Sequence, residues 1–294
     1  MKIAIYGRQF NDTVLPYVQQ IFSILADHDI ETYVHEKYYQ FINGKILSAK
    51  KLELFQNYHD LLSSKVDFMI SLGGDGTLLD TVTLIRDSNI PVIGINFGRL
   101  GFLASINKDD ISSAIKSLIN KEFTLDKRVQ LCIESERNLF GDENFALNDV
   151  TIHKRDTSAM MIVHAYLNGD FLNSYWADGL IVATPTGSTA YSLSCGGPIV
   201  LPRSGNLVVT PISPHNLNVR PIVLSDTNVL SFEIEGRSSK YILTCDSRAE
   251  VIDTSIKVSV RKADFGINLI RLNNENYLTT LRNKLLWGID TRNY

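Results

Sequence analysis

The chain has 294 residues, 44% of them hydrophobic and 21% charged, with a formal net charge of −3. That profile fits two globular domains of ordinary size, and it speaks against disorder, against a membrane protein and against the basic footprint of a nucleic-acid partner. The three cysteines, Cys132, Cys195 and Cys245, are widely spaced and form no Cys-x-x-Cys, which suits free thiols in a reducing, cytoplasmic setting.

The N-terminal stretch Met1–Gly7 carries one early charge, no long apolar core and no small-residue cleavage site, so it reads as a first strand rather than a signal peptide. No apolar run approaches the ~20 residues of a membrane span. Val14 to Ala26 has apolar residues at helical spacing, Glu31 to His35 is a short β-rich run, and Leu52 to Leu62 again has helical spacing through Leu52, Phe55, Tyr58, Leu61 and Leu62. Phe68 to Leu72 is a near-continuous apolar strand, followed by helix from Thr77 to Arg86, strand from Pro91 to Ile95 and helix from Asp109 to Ile119. Strands alternating with helices predict a parallel sheet covered on both faces.

From Thr124 the texture changes to short β-rich runs: Val129 to Glu134, Phe145 to His153, Ala159 to Leu167, Leu180 to Ala183, Leu207 to Thr210, Pro221 to Leu224, Val229 to Glu235, Tyr241 to Cys245 and Ile256 to Arg261. No helix is expected among them. Helical spacing returns at Tyr277, Leu278, Leu281, Leu285 and Leu286. The expected architecture is therefore α/β plus β. An N-terminal Rossmann-like α/β domain with a parallel sheet (1–123 with 270–294) precedes a mainly antiparallel β-sandwich domain (124–269), and the C-terminal helix returns to the first domain.

The sharpest local feature is Ser71-Leu72-Gly73-Gly74-Asp75-Gly76-Thr77. Glycines let the backbone approach a ligand closely, and a helix starting at Thr77 would aim its N–H groups at the turn, a seat for phosphate. Gly73, Gly74, Gly76 and Thr77 are the candidate phosphate-binding residues, and Asp75 is a carboxylate placed where it either accepts a proton or holds a cation. The plain alternative is a glycine-rich turn with Asp75 as a helix cap. The spacing is not that of a P-loop, and Gly7-Arg8-Gln9-Phe10 lacks the dehydrogenase fingerprint. The six histidines show no ligand spacing, so no metal ligands are assigned among the residues.

Gly-Gly-Asp-Gly-Thr is shared by a kinase superfamily that includes NAD kinases, diacylglycerol-type lipid kinases and 6-phosphofructokinases. A second segment, Asp178-Gly179-Leu180-Ile181-Val182-Ala183-Thr184-Pro185-Thr186-Gly187-Ser188-Thr189-Ala190-Tyr191-Ser192-Leu193-Ser194, selects among them: it closely resembles the glycine-rich motif of bacterial NAD kinases. Ala146–Asp149, Pro214-His215, Arg220-Pro221, Cys245-Asp246-Ser247 and Leu285-Leu286-Trp287-Gly288 extend the resemblance in order and spacing.

The resemblance implies transfer of the γ-phosphoryl group of ATP to the 2′-hydroxyl of the adenosine ribose of NAD. Mg²⁺ would be bound with the nucleotide phosphates, and Asp75 would act as general base or, alternatively, position the metal. It also implies substrate contacts at Asp75, Gly76, Phe102, Asn148, Asp149, Asp178, Thr189, Ala190, Tyr191, Ser192, Leu193, Ser194 and Arg248. Asn148 and Asp149 match the family's Asn-Glu pair, here one methylene shorter; Trp176 stands where many relatives carry arginine, and Arg248 where glutamine is frequent. A homodimer or homotetramer is the implied assembly.

Overall fold

The computed structural model describes residues 1–155, 160–272 and 276–287. It divides into two compact units: Met1–Lys127 with the described residues from Ile267 onward, and Arg128–Gly266. Ala159 and Gly288, which belong to the β-rich run and the C-terminal motif above, lie outside the described residues.

The first unit runs β1 (Lys2–Gly7), α1 (Leu15–Asp27), β2 (Glu31–His35), α2 (Glu36–Ile42), β3 (Glu53–Phe55), α3 (Tyr58–Ser64), β4 (Phe68–Leu72), α4 (Asp75–Ile85), β5 (Val92–Asn96), β6 (Ile106–Asn107) and α5 (Ile111–Ile119). Its sheet is parallel in the order β3-β2-β1-β4-β5, and Leu269, from a later strand, pairs with Val92 on the far side of β5. Every residue of β4 and β5 is buried, as a parallel strand covered on both faces requires. α1 starts with a proline in its first turn and buries Val18, Ile21, Phe22 and Leu25; α5 buries Ile111, Ala114, Ile115 and Leu118. These faces close one core with Ile3, Ile5, Ile70 and Ile93.

One expected helix divides. Residues 53–55 pair with β2, and the helix begins only at Tyr58, because Asn57 accepts hydrogen bonds from the N–H groups of His59 and Asp60 and so fixes a helix start inside the apparently periodic run. α2 was not legible from periodicity at all.

The second unit contains most of β7 (Phe123–Ser135), then β8 (Phe145–Ala146), β9 (Asp149–Lys154), β10 (Met161–Leu167), β11 (Asp170–Trp176), β12 (Gly179–Ala183), α6 (Tyr191–Ser194), β13 (Asn206–Ile212), β14 (Ile222–Ser225), β15 (Leu230–Gly236), β16 (Lys240–Cys245), β17 (Arg248–Asp253) and the start of β18 (Val258–Leu272). One antiparallel set is β11-β10-β15-β18 and the other β14-β13-β12-β9-β16-β17. Val163, Tyr175 and Phe232 of the first meet Leu180, Val209 and Leu243 of the second in one core, the inner layer of a sandwich. The short helix α6 is the exception to the expectation of an all-strand segment. α7 (Tyr277–Leu285) buries Leu281 and belongs with the first unit, where Lys284 donates to the carbonyl of Leu100.

Candidate active site

β4 ends on the glycine loop. Gly73 has φ of +149°, and a Cβ there would lie 2.3 Å from Thr77 Oγ1, so backbone and neighbour both demand glycine. Gly74 caps α4 with its carbonyl, accepting from the N–H groups of Thr77 and Leu78, and offers no side-chain cap. Gly74 and Gly76 differ from Gly73. A Cβ on either would meet only one atom, at 3.7 Å, and neither has a positive φ. Nothing among the described residues requires glycine at these two positions. Their missing side chains leave the N–H groups of Gly74, Asp75 and Gly76, which have no acceptor among the described residues, open to an approaching anion.

Asp75 is the first residue of α4, and its carboxylate is gripped by a neighbouring loop. Oδ2 accepts from the N–H of Phe102 at 2.9 Å, and Oδ1 accepts from Leu103 at 3.1 Å and Ala104 at 2.9 Å. With two lone pairs per oxygen, the grip leaves one free, on Oδ2. The loop is itself braced: Asn96 donates to the carbonyl of Arg99 at 2.7 Å and accepts from the N–H of Gly98 at 2.9 Å. Gly101 passes so close that a Cβ would sit 1.7 Å from Asp75 Oδ1. Phe102 is half-buried, with the Lys284 ammonium 5.9 Å from its ring centroid. The outer side of this loop, Gly98–Gly101, lines a groove of about 780 Å³ with α7 residues Thr280 and Lys284.

At the end of β1, the Arg8 guanidinium clasps Asp80 of α4 through Nε (2.6 Å) and Nη2 (2.8 Å), and the Tyr6 hydroxyl donates to the same carboxylate at 3.1 Å. Burial, then Asp80, pushes the Tyr6 phenol up to about 12, so it remains a donor at neutral pH.

In the second unit a matching grip holds Asn148 and Asp149. The buried carboxylate of Asp246 accepts from the N–H groups of Leu147 (2.7 Å), Asn148 (2.8 Å) and Asp149 (3.1 Å). Thr184 donates its hydroxyl to the carbonyl of Leu147 at 2.6 Å, and a Cβ on Gly187 would lie 2.0 Å from the Asn148 carbonyl oxygen. This backbone is held from both sides, and the Asn148 amide, half-buried, is left without a partner among the described residues. Asp149 is 7% exposed; burial and the nearby Asp246 push it up to about 7. Asp246 is itself raised by its burial, against the pull of the three N–H donors.

Tyr191 is exposed, and its phenol is raised by desolvation first and by the neighbouring Cys195 next, with smaller contributions from Asp149 and Asp178. Asp178 pairs with Lys154 at 2.6 Å, and His215 stands 3.8 Å away. Ala190 and Leu193 are half-buried and Ser194 exposed. Other expected residues turn inward. The Ser192 hydroxyl is buried against Thr210 Oγ1 at 2.8 Å, Thr189 donates to the carbonyl of Thr186, and Arg248 donates to the carbonyls of Glu143 and Phe145, with its Nε buried and unpaired. Trp176 is exposed. In the sequence Asp246 stands out only as part of a motif and Gly101 carries no mark; their roles depend on approaches between distant segments that spacing does not reveal.

Uncapped N–H groups on a glycine loop, beside a carboxylate aimed by three backbone donors, have the form of a nucleotide-binding phosphotransferase. The ATP-NAD kinase N-terminal domain matches residues 3–123 and its C-terminal domain residues 147–272. The chain belongs to the ATP-NAD kinase family. It is 49% identical to an NAD kinase of Cytophaga hutchinsonii over 294 residues and 42% identical to one of Flavobacterium psychrophilum over 295, covering all of each chain. Among solved structures it resembles yeast NADH kinase complexed with NADH (TM-score 0.86, 24% identity, 98% of this chain and 88% of that one). It also resembles an NAD kinase from Archaeoglobus fulgidus in complex with ATP (TM-score 0.74, 24% identity, 97% and 99%).

Proposed function

We propose that this chain transfers the γ-phosphoryl group of ATP to the 2′-hydroxyl of the adenosine ribose of NAD, with Asp75 as general base. The γ-phosphorus bonds to the ribose oxygen as its bond to the β-phosphate oxygen breaks; ADP keeps that electron pair, and the hydroxyl proton passes to Asp75 Oδ2. The observation that carries the reading is the aimed carboxylate: three N–H groups fix its position and leave one lone pair for a hydroxyl. The open N–H groups of Gly74, Asp75 and Gly76 suit donor phosphates, with Gly73 and Thr77 shaping the turn. The Asn148 amide suits an adenine edge, and Asp149 and Asp178 suit hydroxyls at the ribose and at the nicotinamide end.

Among the described residues no cluster of three or more His, Cys, Asp or Glu is gathered for a metal, and Asp80 is committed to Arg8 and Tyr6. A divalent cation, Mg²⁺ in this reading, would be held with the nucleotide phosphates and would supply charge neutralisation there. No described helix is long and apolar enough to cross a membrane. The cytoplasm is the proposed setting and a homodimer or homotetramer the proposed assembly, which light scattering on the purified protein checks.

The test is formation of NADP from ATP and NAD by the purified chain and by Asp75→Asn. The variant is expected to bind NAD as the parent does while turnover falls by about 10²- to 10⁴-fold. Near-parental turnover would remove Asp75 from the role of base.

A further inference from the structure

We propose that Arg8 is a donor-phosphate-binding residue: its Nη1 completes, from the end of β1, the anion seat that the glycine loop and α4 begin. This rests on the phosphotransferase reading above and adds to it a side chain that no motif marks.

Arg8 is held in place from one edge only. Nε and Nη2 are committed to Asp80, which makes the guanidinium plane rigid, and Nη1 has no partner among the described residues. Nη1 lies 3.7 Å from the position that a Cβ on Gly76 would take. Gly76 is exposed and its N–H is one of the three uncapped donors. The free edge of the guanidinium and the open N–H groups thus border the same patch of solvent. The Arg8 side chain is 55% exposed, so neither burial nor core packing accounts for its orientation.

The counter-charge matters for the size of the effect. Asp80 Oδ2 accepts from both Arg8 and Tyr6 and Oδ1 from Arg8, so the pair is close to neutral. What Nη1 offers a phosphate is therefore two oriented N–H donors rather than an unscreened positive charge. The expected loss on removal is a weakening of about tenfold, not the thousandfold of an isolated cation.

The experiment compares the parent with Arg8→Gln and Arg8→Lys by steady-state kinetics, and by calorimetric binding of ADP and of AMP. Expected results for Arg8→Gln are a KM for ATP raised about tenfold, a KM for NAD within about twofold of the parent, and a similar loss with GTP as donor. ADP binding should weaken in step while AMP binding changes little, and Arg8→Lys should restore part of the loss. An unchanged KM for ATP overturns the proposal. So does an equal rise in both KM values with a lowered Tm, which would mean that Arg8 serves only to clip β1 to α4. If the parent makes no NADP at all, the underlying reading fails separately, and the ADP titrations still decide the role of Arg8.

Discussion

Asp75 and Asp149 are both acids, yet their surroundings differ: three backbone N–H groups hold the first, while the second is buried beside Asp246 and accepts from the Thr151 hydroxyl. A Cβ added at Gly101 would fall 1.7 Å from Asp75 Oδ1. Gly101→Ala must move either the loop or the acid, so we expect a stability loss of about 1–3 kcal/mol in denaturant titration together with a fall in turnover resembling that of Asp75→Asn. Retained turnover in the alanine variant would show that the grip is not needed. Asp149 rests at about 7 instead of its ordinary 3.8, raised by burial first and Asp246 second. The native chain therefore keeps a proton that the unfolded chain has released between about pH 4 and pH 7. Stability contributed by the protonated acid is lost as pH rises through that window, by up to about 1.4 kcal/mol per pH unit, and is level above it. Asp149→Asn should remove that slope, so the difference in Tm between parent and variant should grow from pH 4 to pH 7 and then stop. A constant difference would contradict the assignment.

At the scale of the element, α3 shows how one polar side chain overrides a periodic pattern. Leu52 to Leu62 has helical spacing, but Asn57 takes the N–H groups of His59 and Asp60 and ends any helix passing through it. Asn57→Ala should cost about 1 kcal/mol, read by chemical denaturation, if the cap carries what such caps ordinarily do. The fully apolar strand β4 and the glycine loop behind it were legible because burial on both faces and backbone approach leave compositional marks. The faces of α1 and α5 were legible for the same reason. α2 was missed because seven residues span too few turns to show a period, and β11 and β17 because apolar Phe171, Trp176 and Val251 lie exposed among polar residues and blur the alternation of a half-buried strand. The grip of Asp246 on residues 147–149 joins segments about a hundred positions apart, and no local signal announces such a contact. The resemblance implies a substrate contact at Ser192, and composition does not tell an exposed serine from one whose hydroxyl, like this one, is spent on Thr210.

In the molecule as a whole, each unit has its own apolar core, one built on Ile5, Ile70, Ile93 and Ile115, the other on Val163, Tyr175, Val209 and Leu243. Separate cores predict separable unfolding. Ile115→Ala, expected to cost about 2–5 kcal/mol, should lower one calorimetric transition and leave a second in place. A single transition that shifts as a whole would show that the cores melt together. The β-sandwich unit is continuous in sequence, whereas the α/β unit is assembled from two stretches of chain, the second of which supplies the Leu269 partner of Val92 and the helix α7.

The way Asp75 is held has a bearing on how this protein can diverge or be redesigned. Its anchors are main-chain amides, so the identity of the side chain at Phe102 is uncoupled from the placement of the acid. A library randomised at that half-buried position can vary the side chain while the carboxylate stays put, with proline the one residue it must omit, because that alone deletes the anchoring hydrogen.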